Sequence, residues 1–486
     1  MKRILASPYF YLAIIIITGL FFRLYQLEHF SPYAHDEDLY SWIVKDILID
    51  HHFRLIGQVT SIPGVFIGPL FYYILIPFFA LFDMDPAGAI GLSAINGILT
   101  ILSVYYVFSK IFNKTTGLIG SFIYSVSLNI ALFDRWIVPT MFVPIWSVWF
   151  LYIIFCIQRG EYKKFWILGV LTGLIWHIHI ALLPLLGLVP IALVFTKKRP
   201  RLTSFIFPIV LAVTLLIPFF AFEIKHNFSQ TLSIFASFGK SVAEAEGLNR
   251  FMKIIDASSV MMTRSLVTPW PLQPSLIYPL LIAGLIFLKF KKVLSSPQLT
   301  LIFLWFISII VSQEISKRGI SEYYFASFII IPILCISLLL DFIRQKFHRI
   351  KIAELLILSY FIFNLISFIN LPFPREALAE KKQVVDFIVS DAKSKNFPCI
   401  QLNFIVDPGN DGGFRYLFWW KNYQLIKSGR GAPVYSIVLP WSYSPKESNP
   451  IFGKIGVIEP IIKEFTDKKV CNDPTSQLDP LMGFYN

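Results

Sequence analysis

The chain predicts an all-α polytopic membrane protein, with about eleven transmembrane helices plus juxtamembrane helices in the first external loop, followed by a small C-terminal extracytoplasmic α/β domain. Three observations predict it. Of 486 residues, 56% are apolar, 16% aromatic and only 15% charged, and the mean hydropathy is +0.65, more apolar surface than a water-soluble chain of this length carries. The net charge of +13 sits in short basic runs between apolar windows, as cytoplasmic loops require, and not on a continuous basic face, so no nucleic acid is implied. From Leu371 onward the apolar windows stop, and helix-like and strand-like segments alternate.

Met1-Lys2-Arg3 precedes an apolar run with no small-residue cleavage site, which reads as an uncleaved signal anchor with its N-terminus in the cytoplasm. Windows of spanning length fall at 7–27, 86–108, 115–133, 137–157, 202–222, 270–289, 299–314, 323–341 and 352–370. Two further regions are decided by charge. Ile62 to Phe82 is apolar but interrupted by Pro63-Gly64, Gly68-Pro69 and Pro77; if it spanned, the loops with Lys110, Lys114 and Arg159 to Lys164 would fall outside, so it reads as a juxtamembrane or re-entrant helix. Phe165 to Phe195 is too long for one span and reads as two short helices hinged near His179. That hinge puts Lys163-Lys164 and Lys197-Lys198-Arg199-Pro200-Arg201 in the cytoplasm, and the same parity places Lys289 to Lys292 and Arg344 to Lys351 there. Residues 28–85, the hinge 134–136, the loop 223–269, the link 315–322 and the tail then lie outside.

The expected division is a transmembrane catalytic domain, 1–371, and an extracytoplasmic α/β domain, 372–486. In the tail, Glu376 to Ala392 has a helical pattern, while Cys399 to Val406 and Val434 to Leu439 read as strands. Asp407 to Gly413 is rich in turn residues and reads as a connection, not a phosphate cradle. Cys156 and Cys335 lie in apolar spans, whereas Cys399 and Cys471 become candidates for a disulfide if the tail is extracytoplasmic.

The residues that carry chemistry gather on the outer face. His35-Asp36-Glu37-Asp38 follows the first span directly, in a chain poor in acids, where a general base could reach a lipid-linked substrate. Asp38 reads as a helix cap, and Glu37 as either a partner of Asp36 or an N-terminal acid favoured by the helix dipole. His35 beside these acids offers a divalent cation as the cofactor option, with no metal-ligand spacing that requires one. Asp134-Arg135 reads either as an interfacial ion pair or as a substrate contact. His177 and His179 point about 200° apart on a helix, so only one of them faces a common site, and His179 is the choice. Lys317-Arg318 and Tyr323-Tyr324 read as headgroup contacts or as interface anchors.

At these residues the chain resembles the GT-C glycosyltransferases, in particular the polyprenyl-phosphate-sugar-dependent group that includes protein O-mannosyltransferases and the lipid A aminoarabinose transferase. Asp36-Glu37 followed by Leu39-Tyr40 is similar to the group's Asp-Glu motif. Gly68-Pro69-Leu70-Phe71-Tyr72-Tyr73 is similar to its Pro-Pro-Leu-x-Tyr-Tyr helix, with Gly68 in place of the first proline. Asp134-Arg135 stands where the group has polar residues in the second external loop, and Gly169-Val170-Leu171-Thr172-Gly173-Leu174 is similar to its Gly-x-x-x-Gly-Leu helix. The lysine that commonly follows that helix is absent here, and His179 occupies about its place. The resemblance implies a hexosyl- or pentosyltransferase of the cell envelope, taking its sugar from a polyprenyl-phosphate donor in the membrane lipid and passing it to a glycan, lipid or protein acceptor on the extracytoplasmic face. It implies inversion, with Asp36 as base assisted by Glu37, and His35, Asp134, Arg135, His179, Arg318, Tyr323 and Tyr324 as substrate contacts. A lipid-linked oligosaccharide polymerase or ligase would use a similar carrier. A secondary transporter would instead show paired repeats and midplane charges, which the sequence lacks.

Overall fold

The computed structural model describes residues 7–196, 198–237, 247–266, 273–409, 411–461 and 469–478. Lys197, Asn410, the start of the window at 270 and parts of the loop 223–269 lie outside the described residues.

The first window expected to span forms α1 (Pro8–Leu24), capped by the Ser7 hydroxyl, which accepts the Tyr9 N–H. The loop that follows forms α2 (His35–Leu48) and α3 (Leu70–Leu81). At 12 residues, α3 is about 18 Å long, short of a hydrocarbon core of roughly 30 Å. Next come α4 (Ala89–Ile111), α5 (Lys114–Val126), α6 (Leu128–Asp134), α7 (Val143–Gln158) and α8 (Phe165–Ile178). The window expected as one straight span at 115–133 is bent by 70° between α5 and α6. Side chains take over the backbone groups freed there: Asn364 Oδ1 accepts the Leu128 N–H at 3.0 Å, and the Ser127 hydroxyl donates to the Ser265 carbonyl.

α8 ends where expected, at His179, whose extended backbone (φ −170°, ψ 129°) breaks the helix. A 3₁₀ stretch, Ile180–Gly187, and α9 (Leu188–Val194) follow. The chain returns to the level at which α8 began, since the Tyr162 hydroxyl donates to the Lys198 carbonyl. Phe165 to Phe195 is therefore a helical hairpin with His179 at its tip. Beyond it lie α10 (Ile206–Leu215), α11 (Ile217–Lys225), α12 (Ser229–Ser237), α13 (Gly247–Leu266), α14 (Ile277–Phe290), α15 (Ser296–Ser316), α16 (Ile330–Lys346) and α17 (Ile352–Ile369).

Among the described residues, five helices are long and apolar enough to cross a membrane, or seven if each of two bent pairs is one span. Shorter apolar helices include Pro8–Leu24, Ile180–Val194 and Pro274–Phe290.

The tail begins with α18 (Leu378–Ser394) and β1 (Cys399–Val406). The short α19 (Arg415–Trp420), β2 (Gln424–Leu425), β3 (Val434–Leu439), β4 (Ile451–Phe452) and β5 (Ile455–Ile458) complete it. The sheet order is β2-β1-β3-β5-β4. β1 runs parallel to both neighbours, and β3 and β4 pair antiparallel with β5. The candidate cysteines pair: Cys399 and Cys471 form a disulfide with Cα atoms 5.7 Å apart. The tail is not a tethered module, because Val384, Ile388, Tyr416 and Ile437 share one buried core with Leu39 and Ile43 of α2 and with Phe71 and Phe79 of α3.

Candidate active site

Three consecutive acids on one helix point about 100° apart, so the first turn of α2 sends each to a different destination. Asp36 is half-buried and lines a cavity of about 130 Å³. Glu37 is buried, and its Oε2 accepts the Ala34 N–H at 2.8 Å. Asp38 does not cap α2. It accepts the N–H groups of Tyr416 at 2.9 Å and Gly413 at 3.3 Å, and so caps α19 of the tail. The correction has a simple cause: Glu37 already serves the start of α2, and residue 38 faces the sheet domain.

Burial raises the Asp36 carboxyl above its ordinary value, with His35 opposing the shift. Burial likewise takes Glu37 up to about 7, although the Ala34 N–H favours its charged form. Asp38 is raised by burial and held back by the two amides it accepts. Lys381 of α18, nine-tenths or more buried, is brought down to about 8 by desolvation, with Asp38 and Glu37 opposing.

The cavity beside Asp36 is closed by Gln58 and Thr60 from the loop before α3, Trp136 and Thr140 from the link after α6, His179 at the hairpin tip, and Tyr323 and Tyr324 before α16. Four residues expected from sequence therefore meet: Asp36, His179, Tyr323 and Tyr324. The His179 ring lies 5.7 Å from that of Tyr323 and 5.2 Å from that of Tyr324. Its Nδ1 accepts the Ala181 N–H at 3.1 Å, which assigns the proton to Nε2 and leaves that N–H as a donor. The Thr140 hydroxyl is buried without a partner among the described residues.

Two apolar cavities flank this one. On one side, about 320 Å³ is walled by Phe71, Trp146, Trp149, Trp166, His177 and Ile178. On the other, a groove of about 660 Å³ runs between Ile62, Ile180, Leu183 and Val311, and includes Lys317 and Arg318. Ile178 and Ile180, the neighbours of His179, each line the central cavity and one of the flanking ones.

His177 has a separate task. Its Nε2 lies 2.8 Å from the Leu215 carbonyl, and its Nδ1 accepts the Leu70 N–H at 3.4 Å, tying α8 to α3 and α10. This explains Gly68 in place of a proline: a Cβ at residue 68 would stand 2.0 Å from His177 Nδ1.

Other expected residues do not join the cavity. His35 is exposed and does not line it. Among the described residues, no group of three or more His, Cys, Asp or Glu side chains is arranged to hold a metal. Asp134 pairs with Arg23 of α1, not with its neighbour Arg135, at 2.6 Å with both side chains fully buried. The Tyr124 hydroxyl donates to the same carboxylate at 2.9 Å, while Arg23 also donates to the carbonyls of Gly19 and Ser125. Arg135 is sealed as well, donating to the Phe22 and Tyr25 carbonyls, with its guanidinium over the rings of Phe30 and Phe368. Arg318 stands apart from Asp36, in the flanking groove, where it donates to the Ser237 carbonyl at 3.3 Å.

Sequence reasoning missed Gln58, Thr60, Trp136 and Thr140, whose types carry no catalytic signal. It also missed Arg23, for which a signal existed: an arginine within an apolar helix needs buried polar partners.

Residues 67–222 match the family model of dolichyl-phosphate-mannose-protein mannosyltransferase. The fold itself is found in ArnT from Cupriavidus metallidurans bound to undecaprenyl phosphate, at a TM-score of 0.60 and 11% identity, over 94% of this chain and 99% of that one. The chain shares the ArnT fold. The apo form of ArnT matches at a TM-score of 0.61 and 11% identity, over 92% of this chain and 97% of that one. An oligosaccharyltransferase from Archaeoglobus fulgidus is 12% identical, covering 90% of this chain and 68% of that one, at a TM-score of 0.49. No curated protein matches the chain. The GT-C likeness carried by the motifs around Asp36 and Gly68 thus extends to a family model and to the ArnT fold.

Proposed function

We propose that the protein is an integral membrane glycosyltransferase that moves a hexosyl or pentosyl group from a polyprenyl-phosphate donor to an acceptor on the extracytoplasmic face, with inversion. The observation that carries the reading is Asp36 in a cavity that also holds Gln58, Thr60, Thr140 and His179, between two largely apolar cavities. A sugar phosphodiester already holds a good leaving group. The protein needs a base for the acceptor and donors for the departing phosphate. Asp36 takes the proton from the acceptor hydroxyl or amine as the new bond to the anomeric carbon forms; the bond from that carbon to the phosphate oxygen breaks, and polyprenyl phosphate leaves. The Nε2–H of His179, with Lys317 and Arg318 farther along the groove, would receive the phosphate charge, and Tyr323 and Tyr324 would wall the sugar. Glu37 supports the start of α2 from beneath. ArnT binds undecaprenyl phosphate in its crystal structure, which favours a lipid carrier of the same chemistry here.

About eleven spans, a cytoplasmic N-terminus and an extracytoplasmic tail complete the reading. Its supports are the hairpin that brings Tyr162 and Lys198 together and a disulfide in the tail, a bond favoured in oxidising compartments. The test is Asp36→Asn in membranes supplied with polyprenyl-phosphate sugars: transfer should fall about 10²–10⁴-fold with insertion and tail disulfide intact. Transfer at the wild-type rate would remove Asp36 from the chemistry.

A further inference from the structure

The backbone on either side of Asp36 is contacted from the far side by the tail. Lys381 of α18 is 4% exposed. Its ammonium donates to the carbonyl of Tyr33 at 2.6 Å and to that of Gly412 at 2.8 Å, closing one loop of the tail onto the strand of chain that leads into α2. Gly412 and Gly413 lie against that same strand. A Cβ at 412 would be 2.7 Å from the His35 nitrogen; one at 413, where φ is +87°, would be 2.3 Å from the Tyr33 oxygen and 2.7 Å from the Lys381 Nζ. The turn that in sequence reads as a connection is thus a close-fitting backbone contact. Asp38 closes the circuit from the other side by accepting from Gly413 and Tyr416. Every residue from Tyr33 to Asp38 except the half-buried Asp36 and the exposed Ala34 and His35 side chains is buried in this contact or in the core beneath it.

We infer that Lys381 and the Gly412-Gly413 turn are a positioning clamp: the tail domain fixes the first turn of α2 so that Asp36 alone of the three acids faces the cavity. The inference rests on the reading of Asp36 as the base. A carboxylate displaced by about an ångström loses most of its value in proton transfer, although the donor still binds. The clamp therefore acts on turnover, whereas a residue that only stabilised the tail would change the amount of folded protein.

The test compares full-length wild type, Lys381→Met and Gly413→Ala in detergent. Hydrogen exchange is read on peptides covering 31–40, and kcat and KM are measured per site that binds donor, with formation of the tail disulfide as the check on folding. The first variant keeps the bulk of the side chain and removes its charge; the second keeps the lysine but pushes on both the Tyr33 carbonyl and the Lys381 ammonium. In both, exchange over 31–40 should quicken at least about tenfold while the tail stays protected. kcat should fall about tenfold or more with KM within about twofold. Unchanged exchange in both variants would overturn the clamp, whatever the activity. Faster exchange with full kcat would overturn its role in placing Asp36. If wild type moves no sugar from polyprenyl phosphate, the functional reading fails separately, and the exchange data still decide the clamp.

Discussion

At the scale of single residues, the three acids behave differently because helix geometry separates them and burial then acts on each. Glu37 has a folded value of about 7 against an ordinary 4.5. Between those values the folded protein binds a proton that the unfolded chain gives up. Its contribution to stability is therefore complete below about pH 4.5 and lost as pH rises through about 7, with an amplitude of at most ~3 kcal/mol. Glu37→Gln keeps an acceptor for the Ala34 N–H and cannot ionise. Its melting temperature should lose that slope and exceed the wild-type value above pH 7; equal slopes in the two proteins would show that residue 37 is not the group responsible. Gly68 provides a steric test of the same kind. Gly68→Ala should cost ~1–3 kcal/mol by overpacking against His177, and in a His177→Ala background most of that cost should vanish. Additive losses in a double-mutant cycle on thermal stability would rule out the contact.

At the scale of elements, polar pins join the helices alongside their apolar packing. The Arg23–Asp134 pair joins α1 to the end of α6, and Gly97 on α4 makes room for it, since a Cβ there would stand 2.2 Å from the Arg23 Nε. Removing one partner leaves a buried charge uncompensated. Asp134→Asn is therefore expected to destabilise the protein by about 3–5 kcal/mol, with the KM of whatever protein remains folded unchanged. A raised KM for the donor at normal stability would return Asp134 to the substrate site. The hairpin Phe165 to Phe195 shows the same logic in the backbone. His179 breaks the helix, its own ring accepts the Ala181 N–H, and the break leaves the side chain at the level of Asp36.

At the scale of the molecule, the orientation has a direct test. Cysteines placed at Lys163 and Lys198 should resist a membrane-impermeant thiol reagent in intact cells, while one at Ser442 should react; the reverse pattern would invert the topology. Much of this architecture was legible in the chain. That Ile62 to Phe82 holds a helix too short to span followed from its prolines and glycines, the hinge at His179 from a segment too long for one span, and the α/β tail from a change in period. The two halves of the site were legible to different degrees. Asp36, His179, Tyr323 and Tyr324 announce themselves by type and position, whereas Thr140 and Gln58 carry neutral side chains that acquire meaning only where the chain folds back on itself. Asp134 and Arg135 misled because adjacency in sequence suggested a pair, while the partner of Asp134 lies 111 residues away.

Composition and hydropathy determined that this chain enters a bilayer and which short stretch carries its carboxylates, since each depends on local hydropathy and on counting. Only the tertiary structure decided which of three adjacent acids faces the cavity, which charges are pins, and that the tail grips the loop it lies against. These depend on contacts between segments hundreds of residues apart, such as Lys381 with Tyr33, and such contacts are set by packing that no local pattern encodes.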